Sequence, residues 1–518
     1  MIPQERKLKF DYDPADTARI KRRLGLMSVK NKAATQTSTS VYFDTPDLAL
    51  YQSGVALHVQ RVGERYIQAI EPVRPQNSGQ SDPSPWQHPV EGPDADLVAA
   101  KGTAFEALLD GHLTQPLRRA FEVRRRRSTY RIGHRGLRME IALDEGDVDS
   151  GERRIPLCQV ELTLLRGEAN DLYRAAREVG ASARLRLGVK TQVDRGYELI
   201  RNELNAVEAA GDVELIPTMS SADAFRNIGH SCLRQLIANE PAMLAGNGEA
   251  LHQMRVALRR LRAAISAFAE VVNDENCERI KGELKWISGK LGFSRDLDIF
   301  VVEVLDPMRR QNPDDRGLAG IYEEFVKRRA AAYRDAVETV RSVRFRGLLL
   351  DAAEWIDLGP WTTSNDESQM LRRERPIVQH ASQELSRRRK KLKKAATSLR
   401  DLNASERHEL RIRTKKHRYA MEFFGKVFTG GKSDKRRKAT LASLKAVQDA
   451  LGGLNDIATR EGLASEIGLS RNQPNKATRE RAFAAGIILG YQKARVQQLL
   501  DAAEIAYAKF SKMKPFWG

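Results

Sequence analysis

The feature that most constrains the fold is a change of hydrophobic period near residue 210. Before it, ALHVQRV, ERYIQAI, RSTYRI, LRMEIALD and LCQVELTLL alternate apolar and polar residues in the manner of strands with one buried face. Val62-Gly63-Glu64 and Gly133-His134-Arg135-Gly136 carry turn signals, and Asn77 to Pro85 reads as a loop. Helical intermissions fall at 14–25, 95–110 and 168–180. After residue 217 the alternation stops. Ser220-Ser221-Ala222-Asp223 has the form of a helix-opening capping box, and Ala, Leu, Arg and Glu then follow at helical spacing almost to residue 512. A chain of 518 residues is too long for one hydrophobic core. The expectation is therefore an α+β domain over 1–205, built as an antiparallel β-barrel, then an all-α domain over 218–512.

The helical part repeats itself. His252-x-x-Arg255-x-x-x-Arg259-x-x-Arg262 recurs as His408-x-x-Arg411-x-x-x-Lys415-x-x-Arg418. Leu291-Gly292-x-x-Arg295-Asp296 recurs as Leu451-Gly452-x-x-Asn455-Asp456, and Lys285 has a counterpart in Lys445. The polar, Gly- and Pro-bearing stretch LGPWTTSNDESQ (358–369) separates halves of about 218–357 and 370–512. A repeat this long implies two copies of one helical unit packed together.

On a helix, His252, Arg255, Arg259 and Arg262 share one stripe. Met254, Leu258, Leu261, Ile265 and Phe268 share another, which belongs in a core. The cationic stripe needs its own explanation. Net formal charge is +19, and counted by segment it is +3 over 1–210, −4 over 211–370 and +20 over 371–518. Few acids sit where they would offset the stripe, and SRRRKKLKK and KSDKRRK add more charge. Such self-repulsion calls for an anion.

Four cations over ten helical residues span about 15 Å, too long for one phosphate, so the expected ligand is a linear polyanion. Nothing resembles a helix-turn-helix, and the basic segments lack interleaved aromatics for stacking bases. Inorganic polyphosphate is favoured and nucleic acid is the weaker candidate. Cys158, Cys232 and Cys277 are widely spaced, which disfavours disulfides and zinc. The start MIPQERKLKF has no apolar signal core, and no run is long enough to span a bilayer, so a cytoplasmic protein without a membrane partner is expected.

HQMRVALRRLR, HELRIRTKKHRY, LGFSRDLD and LGGLND, with the duplication, resemble the CHAD domain. That resemblance implies two pseudo-symmetric four-helix bundles that bind inorganic polyphosphate without a cofactor. The implied contacts are His252, Arg255, Arg259, Arg262, Lys285, His408, Arg411, Lys415, Arg418 and Lys445. His417 stands where the family usually has an apolar residue.

VYFDTPDLALYQSGVALHVQRVG, IALDEGDV and KTQVDRGYELI resemble the CYTH domain, the triphosphate tunnel fold. The resemblance implies an eight-stranded barrel whose lumen binds triphosphate through Arg and Lys, with Glu residues holding Mg²⁺ or Mn²⁺. Several expected charges are replaced, by His58, Gln60, Glu71, Gln159, Thr163 and Gln192, and by Lys7 in one alignment of the first strand; in the other, Glu5 and Lys7 fill the second and third positions of the family's Glu-x-Glu-x-Lys. Lys9, Arg127 and Arg195 remain as residual tunnel cations, and Glu5, Glu140 and Glu161 as metal-ligand candidates. The expectation is a polyphosphate-binding protein, associated with polyphosphate granules, whose tunnel is degenerate and weakly catalytic or inactive. The alternative is a metal-dependent inorganic triphosphatase whose CHAD domain recruits polyphosphate.

Overall fold

The computed structural model describes residues 6–29, 33–73, 86–101, 106, 115–134, 136–395, 399–468 and 476–517, without side chains at 458–468 and 477. Two compact units divide the chain: Met1–Glu208 with Ile237–Ala242 and Arg346–Glu354, and the remainder.

The first unit is built on nine strands: β1 Arg6–Asp11, β2 Ala34–Asp44, β3 Val55–Val62, β4 Arg65–Pro72, β5 Trp86–Val90, β6 Arg118–His134, β7 Leu137–Asp149, β8 Arg154–Arg166 and β9 Arg186–Leu187. All pairs are antiparallel in the order β5-β4-β3-β2-β6-β7-β8-β1-β9. Both expected turns are present. Val62 pairs with Arg65 across a two-residue turn in which Gly63 takes φ +63°, and His134 pairs with Leu137. Helices α1 Thr17–Met27, α2 Ala49–Gln52, α3 Ala169–Gly180 and α4 Gln192–Ile200 accompany the sheet among the described residues.

The antiparallel tunnel-like sheet is as expected, with nine strands where the resemblance implies eight. Among the described residues the sheet is tunnel-like but open, with β5 and β9 as unpaired edges. β9 is only two residues long, and β5 carries Pro89, which has no N–H to extend a ladder. Of the expected intermission at 95–110, a 3₁₀ turn at Val98–Ala100 is described. The Asn77–Pro85 loop lies outside the described residues. KTQVDRGYELI forms the capped helix α4, held tightly to the sheet at Gly196. A Cβ there would lie 2.1 Å from the Phe121 ring.

The rest is helical: α5 Ser221–Ala238, α6 Glu240–Leu244, α7 Gly248–Ala267, α8 Glu275–Phe300, α9 Asp306–Gln311, α10 Arg316–Arg341, α11 Val343–Leu358, α12 Glu367–Glu374, α13 Ile377–Ala395, α14 Ala404–Phe424, α15 Gly431–Gly468, α16 Lys476–Ala494 and α17 Val496–Lys512. Ser220 opens α5 as expected, its Oγ accepting from the Asp223 N–H. The long helices α5, α7, α8, α10 and α11 recur in order as α13, α14, α15, α16 and α17. The apolar stripe of α7 goes where its spacing sends it, with Met254, Leu258, Leu261, Ile265 and Phe268 all buried. Within LGPWTTSNDESQ, Trp361 is fully buried against Trp355, and Asp274 caps both. That break is thus a packed joint. His417 is also fully buried, edge-on to Phe510 and Trp517. Burial pushes its pKa down to about 3, so the neutral ring substitutes for an apolar side chain.

Candidate anion-binding site

Caps set the phase of the two basic helices. Asn247 accepts from the N–H groups of Glu249 and Ala250, and Asn403 makes a reciprocal capping box with Glu406. α7 and α14 pack on one another, and their cationic stripes converge. Lys415 feels Arg411, Arg259 and Arg255, while Arg411 feels Arg259 in turn. Four of the predicted residues therefore form one cluster drawn from both copies of the repeat.

The protein supplies this cluster with few acceptors. Arg255 donates to the Gly292 carbonyl at 2.6 Å and lies 3.3 Å from Asp296. Asp456 holds the matching position near Arg411. Buried Nε groups of Arg259 and Arg411 have no hydrogen-bond partner, nor does Nδ1 of His252. Burial and the surrounding guanidinium groups push Lys415 down to about 7, and burial with Arg295 lowers His252. An anion would satisfy these donors and relieve the repulsion.

The other predicted residues are placed differently. His408 Nδ1 is 2.5 Å from Asn455 Oδ1. Arg418 donates to Gln448 and to Glu422, so a protein carboxylate already answers it. Arg262 is exposed and faces Lys416. Lys285 and Lys445 are exposed, and no ion pair or hydrogen bond ties them to the stripe. Sequence reasoning missed Arg295 beside His252, and Gln448. Both sit on neighbouring helices, where the period of one helix gives no signal.

In the sheet, the ladders bring the predicted tunnel residues to one face. Lys9 is opposite Glu161, which is opposite Ala142, and Lys7 and Glu140 flank Thr163 on the same side. Arg127 lies opposite Asp144. Here the cations are answered. Arg127 grips the buried Asp144 with two hydrogen bonds of 2.8 and 2.7 Å and reaches Glu161 at 3.4 Å. Lys9 meets the same Glu161 at 3.2 Å, and Arg195 meets Asp11 at 2.6 Å. Asp144 and Asp11 were not predicted. The substituted positions also join: Glu71 accepts from Tyr42 at 3.3 Å and lies 3.6 Å from His58. Burial raises Glu71 and, with Arg125, lowers His58 to about 4, so that corner offers little positive charge.

The metal candidates do not form a donor set. Glu5 lies outside the described residues. Glu140 is paired with Arg131 at 3.2 Å, and both oxygens of Glu161 face cations. Among the described residues no three His, Cys, Asp or Glu side chains cluster to hold a metal. A hard divalent cation takes carboxylate oxygens, and here Lys and Arg already engage them. The three cysteines are free thiols. No helix among the described residues is long and apolar enough to cross a membrane.

Comparison with known proteins agrees with this division. The CYTH domain model matches residues 2–197 and the CHAD domain model matches 227–465. A crystal structure of the CHAD domain from the plant Ricinus communis is 27 % identical with a TM-score of 0.50, covering 60 % of this chain and 98 % of that one. PptA from Streptomyces chartreusis is 18 % identical over 56 % of this chain and all of its own (100 %), with a TM-score of 0.39. HpAC1 from Hippeastrum, which has a dominant triphosphatase activity, is 14 % identical over 38 % of this chain and 96 % of its own, with a TM-score of 0.28. With both models matched in sequence order, the chain carries a CYTH domain followed by a CHAD domain.

Proposed function

We propose that this protein binds inorganic polyphosphate along the groove where α7 and α14 meet, and that its CYTH sheet is weakly catalytic or inactive. One observation carries the reading. Arg255, Arg259, Arg411 and Lys415 converge from both repeats, and the buried Nε groups of Arg259 and Arg411 have no protein acceptor. A chain of phosphates offers acceptors at close, regular intervals and has no bases to read, so it suits a site that presents charge over length. Association with polyphosphate granules would follow.

The sheet supports its half of the reading by contrast. Asp144, Asp11 and Glu161 neutralise the residual cations Arg127, Arg195 and Lys9, so an incoming triphosphate would have to displace carboxylates. The carboxylates themselves are committed to those cations instead of a metal.

The test is polyphosphate binding at fixed ionic strength by wild type and by a variant with His252, Arg255, His408 and Arg411 all changed to Ala. Loss of affinity in a folded variant is expected, and unchanged affinity would remove the site. Competition by duplex DNA or RNA at equal phosphate concentration should be weak, because any polyanion contact is salt-sensitive but only polyphosphate fits without bases. Displacement of long-chain polyphosphate by nucleic acid would overturn the ligand assignment. Tripolyphosphate hydrolysis with Mg²⁺ or Mn²⁺ that Glu161→Ala abolishes would establish the triphosphatase alternative.

A further inference from the structure

The two repeats have diverged at one position in a way that creates a second, separate basic pocket. In the first repeat Arg260, on the side of α7 turned away from the stripe, is buried. Its Nη1 donates to Gln235 at 3.0 Å and its Nη2 to the Gly211 carbonyl at 3.3 Å. Glu422, on α14, supplies the negative charge felt beside it. That cation is answered within the protein.

The counterpart of Arg260, 156 residues on, is Lys416. Around it, Ser231, Cys232, Gln235 and Ala257 of the first repeat are replaced by Arg387, Arg388, Lys391 and Arg413. The position of the countering Glu422 is held by Ser266. A pocket of about 620 Å³ opens here, lined by these five cations, Lys394 and Ser266. Glu384 holds Arg387 and Arg388 at 2.6 and 2.5 Å, and Glu409 holds Arg413 at 2.5 Å. Lys391 and Lys416 have no carboxylate partner, and Ser266 offers only a hydroxyl, to Arg388 at 3.2 Å. Burial and then Arg388, Arg262 and Lys281 all depress the Lys416 ammonium.

We propose that this pocket is a second anion site that takes a compact oligophosphate, several phosphate groups gathered within one cavity rather than strung along a groove. The acid that faces Arg260 of the first repeat has no counterpart beside Lys416 of the second, where Ser266 stands instead, and the ligand supplies the missing charge. The same chemistry could be presented by a free short oligophosphate or by the end of a long chain.

Restoring the lost acid is the direct test. In an Arg259→Ala/Arg411→Ala background, which weakens the groove, tripolyphosphate binding is measured by calorimetry before and after adding Ser266→Glu. Affinity should fall about tenfold or more, because the new carboxylate competes for the same ammonium and guanidinium groups. Lys391→Ala/Lys416→Ala in that background should reproduce the loss without adding an acid, and circular dichroism checks that each variant folds. If tripolyphosphate does not bind the groove-weakened protein, or if neither change affects its binding, the pocket is not an anion site. The groove reading stands or falls separately, on long-chain binding by the alanine variant described above. In the otherwise unaltered protein, Ser266→Glu distinguishes the two sources. Equal weakening of long and short chains assigns the pocket to a chain end, whereas weakening of tripolyphosphate alone assigns it to a free oligophosphate.

Discussion

Arg127 of the sheet and Arg259 of the groove are both partly buried guanidinium groups, and they differ in what surrounds them. Arg127 has Asp144 gripped through two hydrogen bonds and Glu161 within reach. Arg259 has Arg255, Arg411 and Lys415 for neighbours and a buried Nε without an acceptor. Equal counts of cations therefore mean different things. A cation paired inside the fold contributes to structure, and one left among its own kind leaves a place for an anion. The comparison ranks the predictions, because breaking a completed pair should damage the fold while breaking an incomplete one should damage binding.

The largest effect is expected from Asp144→Ala. It leaves the partly buried Arg127 charge with Glu161, already shared with Lys9, as its remaining carboxylate, at a cost of about 3 kcal/mol. Hydrogen exchange on the full chain should report it as faster exchange, by about two decades, in β6 and β7, with α7 unchanged. If β6 and β7 keep their protection, the pairing is not structural and the contrast between sheet and groove fails. Next comes Arg259→Ala/Arg411→Ala. Two charge-assisted contacts are removed without unpairing any buried acid, so long-chain polyphosphate should bind about 30- to 100-fold more weakly at unchanged melting temperature.

The sequence allowed much of this contrast to be read. Period-two alternation sent Lys9, Arg127, Glu140 and Glu161 to one face of the sheet, where the ladders place them. Spacing on α7 and α14 defined the stripes, and the duplication implied that they belong together. The partner of Arg127 was available in principle. With the turn placed between His134 and Leu137, counting back along both strands puts Asp144 opposite Arg127. Contacts between helices were not available in this way. Asp296 beside Arg255 and Gln448 beside Arg418 depend on how neighbouring helices cross, which one helix's period does not encode. The ends of the sheet were no more legible: among the described residues its edges are β5, which carries Pro89, and the two-residue β9.

A smaller effect concerns pH, and here the structure changes which residue matters. Lys415, not one of the stripe histidines, is the cation held at about 7. A bound polyanion favours the ammonium and raises that pKa, so binding takes up a proton above pH 7. Affinity is then complete below about pH 7 and falls as pH rises through the higher bound-state value, by about tenfold between pH 7 and 9. Lys415→Arg, which stays charged throughout, should flatten that limb. A profile as steep in the variant as in wild type would assign the proton elsewhere.

The smallest effect separates resemblance from geometry. All ten contacts implied by the resemblance carried equal weight. Lys285 and Lys445, however, stand exposed on α8 and α15 with no ion pair or hydrogen bond to the converged cluster. An ammonium in water meets a phosphate through a high dielectric and a screening salt atmosphere, and it gives up side-chain entropy to do so. Alanine at both positions should weaken long-chain polyphosphate about twofold at physiological salt, against the much larger loss from Arg259 and Arg411. Equal losses from the two pairs would mean that charge number governs affinity, and that missing protein acceptors do not. The contrast drawn between Arg127 and Arg259 would then lose its basis.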